Sequence, residues 1–148
     1  MTARVFGERV AGQDYIVRPS AYALILNERD EFAVVMTPLG LLLPGGGIDG
    51  DETPAETIVR EALEESGLEL VPGPEIARVV QLVYSTVERK YFDKRTVFLW
   101  ATVTGHDSGR GEADHELTWL PAETAAQRMH HESHAWVLRE VRGNRKDA

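Results

Sequence analysis

Between Gly46 and Leu68 a glycine-rich turn runs straight into a helix that carries three clustered glutamates, and no other stretch constrains the fold so tightly. Thr53-Pro54-Ala55-Glu56 holds three separate helix-start signals. Thr is a favoured N-cap, Pro suits the first helical position, and Glu three residues after the cap closes a capping box. Gly67 supplies the stop. At the helical period Ala55, Ile58, Val59, Ala62 and Ser66 are expected to pack, and Glu61, Glu64 and Glu65 to gather on the other side. Carboxylates at i, i+3 and i+4 repel, each pair costing a few tenths of a kcal/mol, and helix propensity asks for no such arrangement. A hard cation turns that cost into a site, because ionised carboxylate oxygens are the ligands that Mg²⁺ and Mn²⁺ prefer. An acidic helix alone reads first as a solvated charged face with Arg60 as partner.

The helix is not alone. Gly46 is followed after five residues by Glu52, and after seven more by Arg60-Glu61-Ala62-Leu63-Glu64-Glu65-Ser66-Gly67-Leu68. This stretch resembles a complete Nudix box, the loop-helix signature of the Nudix hydrolase superfamily (MutT-like proteins), with Ala62 and Leu68 at the aliphatic places. Seven fixed positions match by chance on the order of 10⁻⁸ to 10⁻⁹ per window. Leu43-Pro44-Gly45 is similar to the family's lead-in. The resemblance implies an α/β fold, a Nudix-type α/β/α sandwich with a mixed β-sheet. It implies Mg²⁺, or Mn²⁺, held by Glu61, Glu64, Glu65 and the Gly46 carbonyl, with Glu52 and Arg60 as structural support of the site. The implied reaction is hydrolysis of the pyrophosphate bond in a nucleoside diphosphate linked to another group, a nucleoside triphosphate or dinucleoside polyphosphate first. The alternative on the same scaffold is a noncatalytic nucleotide-binding or regulatory module, in which such a box would normally have lost carboxylates.

The rest of the chain fits one domain over residues 1–148, with 143–148 as a polar tail. With 43% apolar and 27% charged residues the composition is that of a globular protein. Ala21–Leu26, and Ala77–Val83 with its interruptions at Arg78 and Gln81, fall short of a membrane span, and residues 1–10 have no signal-like apolar stretch, so a cytoplasmic address is expected. The absence of Cys removes disulfides and thiolate metal sites. A net charge of −8 argues against a nucleic-acid polymer as partner and leaves a small nucleotide, brought in through metal. A homodimer is compatible with all of this.

Tyr15–Val17, Ala21–Leu26 and Phe32–Met36 read as strands, the last two as a hairpin about residues 27–31, and Leu41–Leu43 as a short apolar piece before a loop at residues 45–50. Ile76–Val87, Thr96–Thr104 and Glu116–Leu120 read as further strands, and Pro121–Met129 and Ser133–Arg142 as helices. Glu64 and Glu65 are candidates for the catalytic base. Glu112-Ala113-Asp114-His115-Glu116 resembles the family's acidic stretch before a late Trp-containing strand and makes Glu116 the downstream candidate, ahead of Glu112 and Asp114. A solvated acidic loop accounts for it equally well. Tyr84, sixteen residues beyond Leu68, resembles a tyrosine of the dinucleoside polyphosphate hydrolases. Arg89, Lys90, Lys94 and Arg95, interleaved with Tyr91 and Phe92, read mainly as a solvated turn between strands and secondarily as a hold for phosphate or base. Arg89 and Lys90 therefore stand with Tyr84 as substrate-binding candidates. His130, His131 and His134 read as surface or partly packed rather than zinc-binding, and Trp100, Trp119 and Trp136 as packing residues. Residues 45–50 also satisfy G-x-G-x-x-G, but Asp49, Asp51 and Glu52 would crowd negative charge onto a dinucleotide's pyrophosphate.

Overall fold

Alternation of side chains along the central strands sorts the core onto two faces. The computed structural model describes residues 3–142. Its elements are β1 (Arg4–Phe6), β2 (Tyr15–Leu24), β3 (Glu31–Thr37), β4 (Gly40–Leu42), β5 (Gly45–Gly47), α1 (Pro54–Ser66), β6 (Leu68–Ser85), β7 (Lys90–His106), β8 (Glu116–Pro121), α2 (Ala122–Ala126) and α3 (Glu132–Arg142). A five-stranded mixed sheet has the order β1-β6-β7-β2-β5, and a three-stranded sheet the order β4-β3-β8. β7 runs antiparallel to β6 and parallel to β2, where Ser20 lies opposite Thr96 and Leu24 opposite Trp100. Ala21, Ala23, Ile25, Val97, Leu99 and Ala101 pack with Ile58 and Ala62 of α1. Tyr22, Leu24 and Phe98, the residues between, pack with Ala125 of α2 and with Val137, Leu138 and Val141 of α3. Helices thus cover both faces, and the architecture is the expected α/β/α sandwich. No described helix is long and apolar enough to cross a membrane.

The sequence-predicted elements need six corrections, one being that the helix expected over Pro121–Met129 spans only Ala122–Ala126. Tyr15–Val17 and Ala21–Leu24 form one strand, broken in the sequence reading by Arg18-Pro19-Ser20. The hairpin of Ala21–Leu26 with Phe32–Met36 exists only at its turn, through a Leu26–Phe32 bridge and an Asn27 N–H to Glu31 carbonyl bond; beyond it β2 and β3 part into different sheets. Gly45–Gly47 is not loop but the edge strand β5, paired with Ser20–Tyr22. The two long strands extend further than expected: β6 begins directly after Gly67, and β7 takes in Lys90, Lys94 and Arg95. β1, unrecognised in the sequence, pairs with Val79–Gln81 of β6. The polar tail at 143–148 lies outside the described residues.

The start of α1 follows its local signals. The Thr53 hydroxyl accepts from the Glu56 N–H at 3.1 Å and the Glu56 carboxylate from the Thr53 N–H at 2.9 Å, while Gly67 takes the left-handed conformation with φ 71°. Thr53→Ala is expected to cost about 1 kcal/mol, read as a lower denaturation midpoint with an unchanged slope. An unchanged midpoint would mean that tertiary packing alone fixes this helix start.

His131 and His134 are buried, against the sequence expectation. The His134 Nδ1 accepts from the Leu43 N–H at 3.2 Å and so ties α3 to the turn between β4 and β5. The three tryptophans are partly buried against the two cores, Trp136 beside Phe6 with ring centres 5.6 Å apart.

Candidate active site

Two glycines seat β5, Gly45 against β2 and Gly46 against α1. Gly45 has φ +149°, and a side chain there would meet the Ala21 carbonyl and the ring of Tyr22. Its N–H donates to Glu65 Oε1 at 3.2 Å. A Cβ on Gly46 would lie 2.7 Å from the carboxyl carbon of Glu61, so that carboxylate rests directly against the bare backbone of β5.

Glu65 departs from the expected helix face. It follows Ile58 by two turns of seven residues, which returns it to the packed side, and it is 8% exposed. Burial raises its pKa to about 8, with the charges of Glu61, Glu112 and Glu64 pushing the same way and the Gly45 N–H opposing. Burial also raises Glu61, against the pull of Arg60. Glu64 is exposed.

Arg60 organises the loop. Its guanidinium grips Glu52 with both oxygens, Nε to Oε2 at 2.7 Å and a second nitrogen to Oε1 at 2.9 Å, a bidentate pair. It also donates to Glu61 at 2.7 Å, Glu64 at 3.3 Å and the Gly47 carbonyl at 3.0 Å. The Arg60 bonds, then those from the Asp49 N–H and the Thr57 hydroxyl, hold the Glu52 carboxyl down to about 2 despite some desolvation.

A second acidic group reaches the same end of α1. Residues 107–115 dock on the helix C-terminus, where the Asp107 N–H donates to the Gly67 carbonyl at 2.9 Å and the Glu112 N–H to the Glu65 carbonyl at 3.2 Å. Glu65, Glu112, His115 and Glu116 line one open depression. His115 Nε2 stands 3.7 Å from Glu65 Oε2, and its Nδ1 is 2.8 Å from Asp114 Oδ1. Sequence reasoning gave His115 no role, since a lone histidine in an acidic loop carries no spacing signal.

The donor set suits a hard divalent cation. Half-buried Glu61 and buried Glu65 share the end of a glycine strand, and among the described residues the only basic side chain within 4.0 Å of the Glu65 carboxylate is His115, at 3.7 Å. The helix carboxylates are drawn apart by Arg60 and Gly45; among the described residues, Glu112, Asp114 and His115 bring their ligand atoms within 4.8 Å of one another.

A family model for the NUDIX domain matches residues 17–141. The chain belongs to the Nudix family. Its fold is shared by the MutT protein of Methanosarcina mazei Go1, with TM-score 0.64 at 23% identity, covering 92% of this chain and 99% of that one. The dihydroneopterin triphosphate pyrophosphohydrolase of E. coli aligns with TM-score 0.65 at 17% identity over 82% of this chain and 92% of its own. The ORF135 protein of E. coli aligns with TM-score 0.62 at 20% identity over 88% and 94%. No curated protein sequence matches the chain at a significant level.

On the far side of β5 the Nudix domain has a cavity of about 260 Å³. Gly47 lines it, so one glycine strand is shared between the box and the cavity. Tyr84 lines it too, 46% exposed with its ring centre 4.8 Å from that of Tyr91. Arg89, at φ 57° in the β6–β7 turn, and Lys90, at the start of β7, are exposed and do not line this cavity; Arg18 and Lys94 do.

Proposed function

We propose that this Nudix protein is a Mg²⁺- or Mn²⁺-dependent hydrolase of the pyrophosphate bond in a nucleoside diphosphate linked to another group, with nucleoside triphosphates and dinucleoside polyphosphates as the first candidates. The observation that carries the reading is the intact, partly buried carboxylate set of α1 resting against bare β5 backbone, with no Lys or Arg among the described residues paired to Glu65. Glu61, Glu64, Glu65 and the Gly46 carbonyl would hold the ion. When bound, a divalent cation neutralises charge on phosphoryl oxygens and lowers the pKa of water. The protein's part is positional and acid–base. Arg60 and Glu52 fix the loop before α1, Tyr84 borders the substrate cavity, and a carboxylate among Glu64, Glu65 and Glu116 takes the proton lost by water as the P–O–P bridge breaks. An acidic chain then meets an acidic substrate through metal rather than through Lys and Arg.

Purified protein is to be incubated with nucleoside triphosphates, oxidised dGTP, ADP-ribose, NADH, nucleotide sugars and diadenosine polyphosphates, with Mg²⁺ or Mn²⁺, and the products resolved beside a Glu65→Gln control. Metal-dependent cleavage, lost in the control, is the expected result. Tight nucleotide binding without cleavage of any of them would instead identify a noncatalytic module.

A further inference from the structure

Lys94 projects into the cavity beside β5 with an unusual set of partners. Its ammonium donates to the Tyr22 hydroxyl at 2.9 Å and meets His131 Nε2 at 3.3 Å. Among the described residues no carboxylate stands within 4.0 Å of it, while the rim pair Arg18–Glu88 is closed on itself at 3.1 Å. Burial and the neighbouring Lys94 charge push the His131 pKa down to about 3, so that ring is neutral. Lysine only donates; the His131 Nε2 therefore accepts, and its Nδ1 carries the proton. Two of three ammonium protons are thus committed to neutral acceptors, and among the described residues no acceptor takes the third.

Around this donor Leu39, Val83, Tyr84, Phe92 and the ring of His131 form an apolar and aromatic wall, with Ser85, Thr86 and Glu88 also lining the cavity. Such walls suit a planar ring. A phosphate would meet one uncompensated positive charge and be stripped of water by the rest, so it would be only partly neutralised. A neutral base with a carbonyl oxygen satisfies the free ammonium proton without stranding any charge, whereas an exocyclic amino group in that place would set donor against donor.

We infer that Lys94 reads a keto oxygen on the substrate's base, making the cavity selective for 6-oxopurines and 4-oxopyrimidines over their amino counterparts. The inference rests on the proposal that the substrate is a nucleotide. Inosine and adenosine monophosphates differ at that one position, as do uridine and cytidine monophosphates; their binding to the metal-free protein is to be measured by NMR titration, alongside ribose 5-phosphate. Each keto nucleotide is expected to bind at least about tenfold more tightly than its amino partner, with the ratio falling towards one in Lys94→Met. Equal binding of keto and amino nucleotides by the unaltered protein overturns the inference, whether or not the variant folds. So does ribose 5-phosphate binding as tightly as inosine monophosphate, which would make Lys94 a phosphate ligand, or a keto preference that survives in a folded Lys94→Met. A keto preference in a protein that hydrolyses nothing would leave this inference standing and overturn the hydrolase reading; metal-dependent hydrolysis without base preference would do the reverse.

Discussion

Glu65→Gln is expected to lower turnover by about 10² or more while leaving the fold intact, and to make the metal-free protein more stable than the parent at pH 8. The two effects share a cause. Glu65 sits buried on the packed seam of α1 with one hydrogen bond from the Gly45 N–H, and its pKa is raised to about 8 by burial and then by neighbouring carboxylates. The neutral amide can keep that bond and has no charge to bury, but it can neither accept a proton nor give a cation an anionic oxygen. Glu64→Gln is expected to lose turnover similarly, without the gain in stability, because Glu64 is exposed.

The sign of the pH dependence follows from linkage. A carboxyl whose folded pKa lies above its ordinary value of 4.5 binds more protons folded than unfolded between about 4.5 and 8. Its contribution is fully present below 4.5 and is lost as pH rises through about 8. At ~1.4 kcal/mol per pKa unit, the loss amounts to a few kcal/mol. The melting temperature of metal-free parent protein should therefore fall between pH 5 and 8 relative to Glu65→Gln, and Mg²⁺ or Mn²⁺ should recover it in the parent more than in the variant. Parallel melting curves would show that Glu65 is not a buried protonated acid, and unchanged turnover in a folded variant would remove it from the mechanism.

What the sequence made legible was local. The Thr53 cap, Pro54, Glu56 and Gly67 fix α1 by bonds within four residues of the chain, and the structure has each of them. The apolar runs Ala21–Leu26 and Thr96–Thr104 marked strands, and it is the structure that sorts their alternate residues onto two core faces. The spacing of Glu65, seven residues after Ile58, points to the packed face while its charge points to solvent, and the structure follows the spacing; here the cost of burial is tied to the site itself. Features made by distant segments left no such trace. β1 has three residues and needs β6 to be a strand, and the β2–β3 turn could not reveal that its arms join different sheets. The environment of Lys94 combines Tyr22 of β2 with His131 before α3, so a basic segment that looks like a solvated turn places one lysine in a cavity.

Arg60→Gln should raise the metal concentration needed for half-maximal turnover by about 10- to 100-fold, with a smaller loss at saturating metal. Two effects compete. Arg60 draws Glu61 and Glu64 towards itself, so its removal frees two carboxylates for a cation; it also anchors the loop that presents Gly46. Anchoring should dominate, because three of its five bonds go to Glu52 and the Gly47 carbonyl, both on the loop side, and Glu52 alone is held by two of them. Without it Glu52 retains only the Asp49 N–H and Thr57 hydroxyl, and Glu61 loses the charge that opposes its desolvation. Arg60→Lys should recover little, since one ammonium cannot span both Glu52 oxygens and Gly47. Linkage supplies a second readout: Glu52, held down to about 2 chiefly by Arg60, contributes stability above pH 4.5 that fades as pH falls towards 2, and the variant should lose part of that acid-side dependence. An increase in metal affinity on removing Arg60 would show the opposite balance, with Arg60 competing for the carboxylates instead of positioning them.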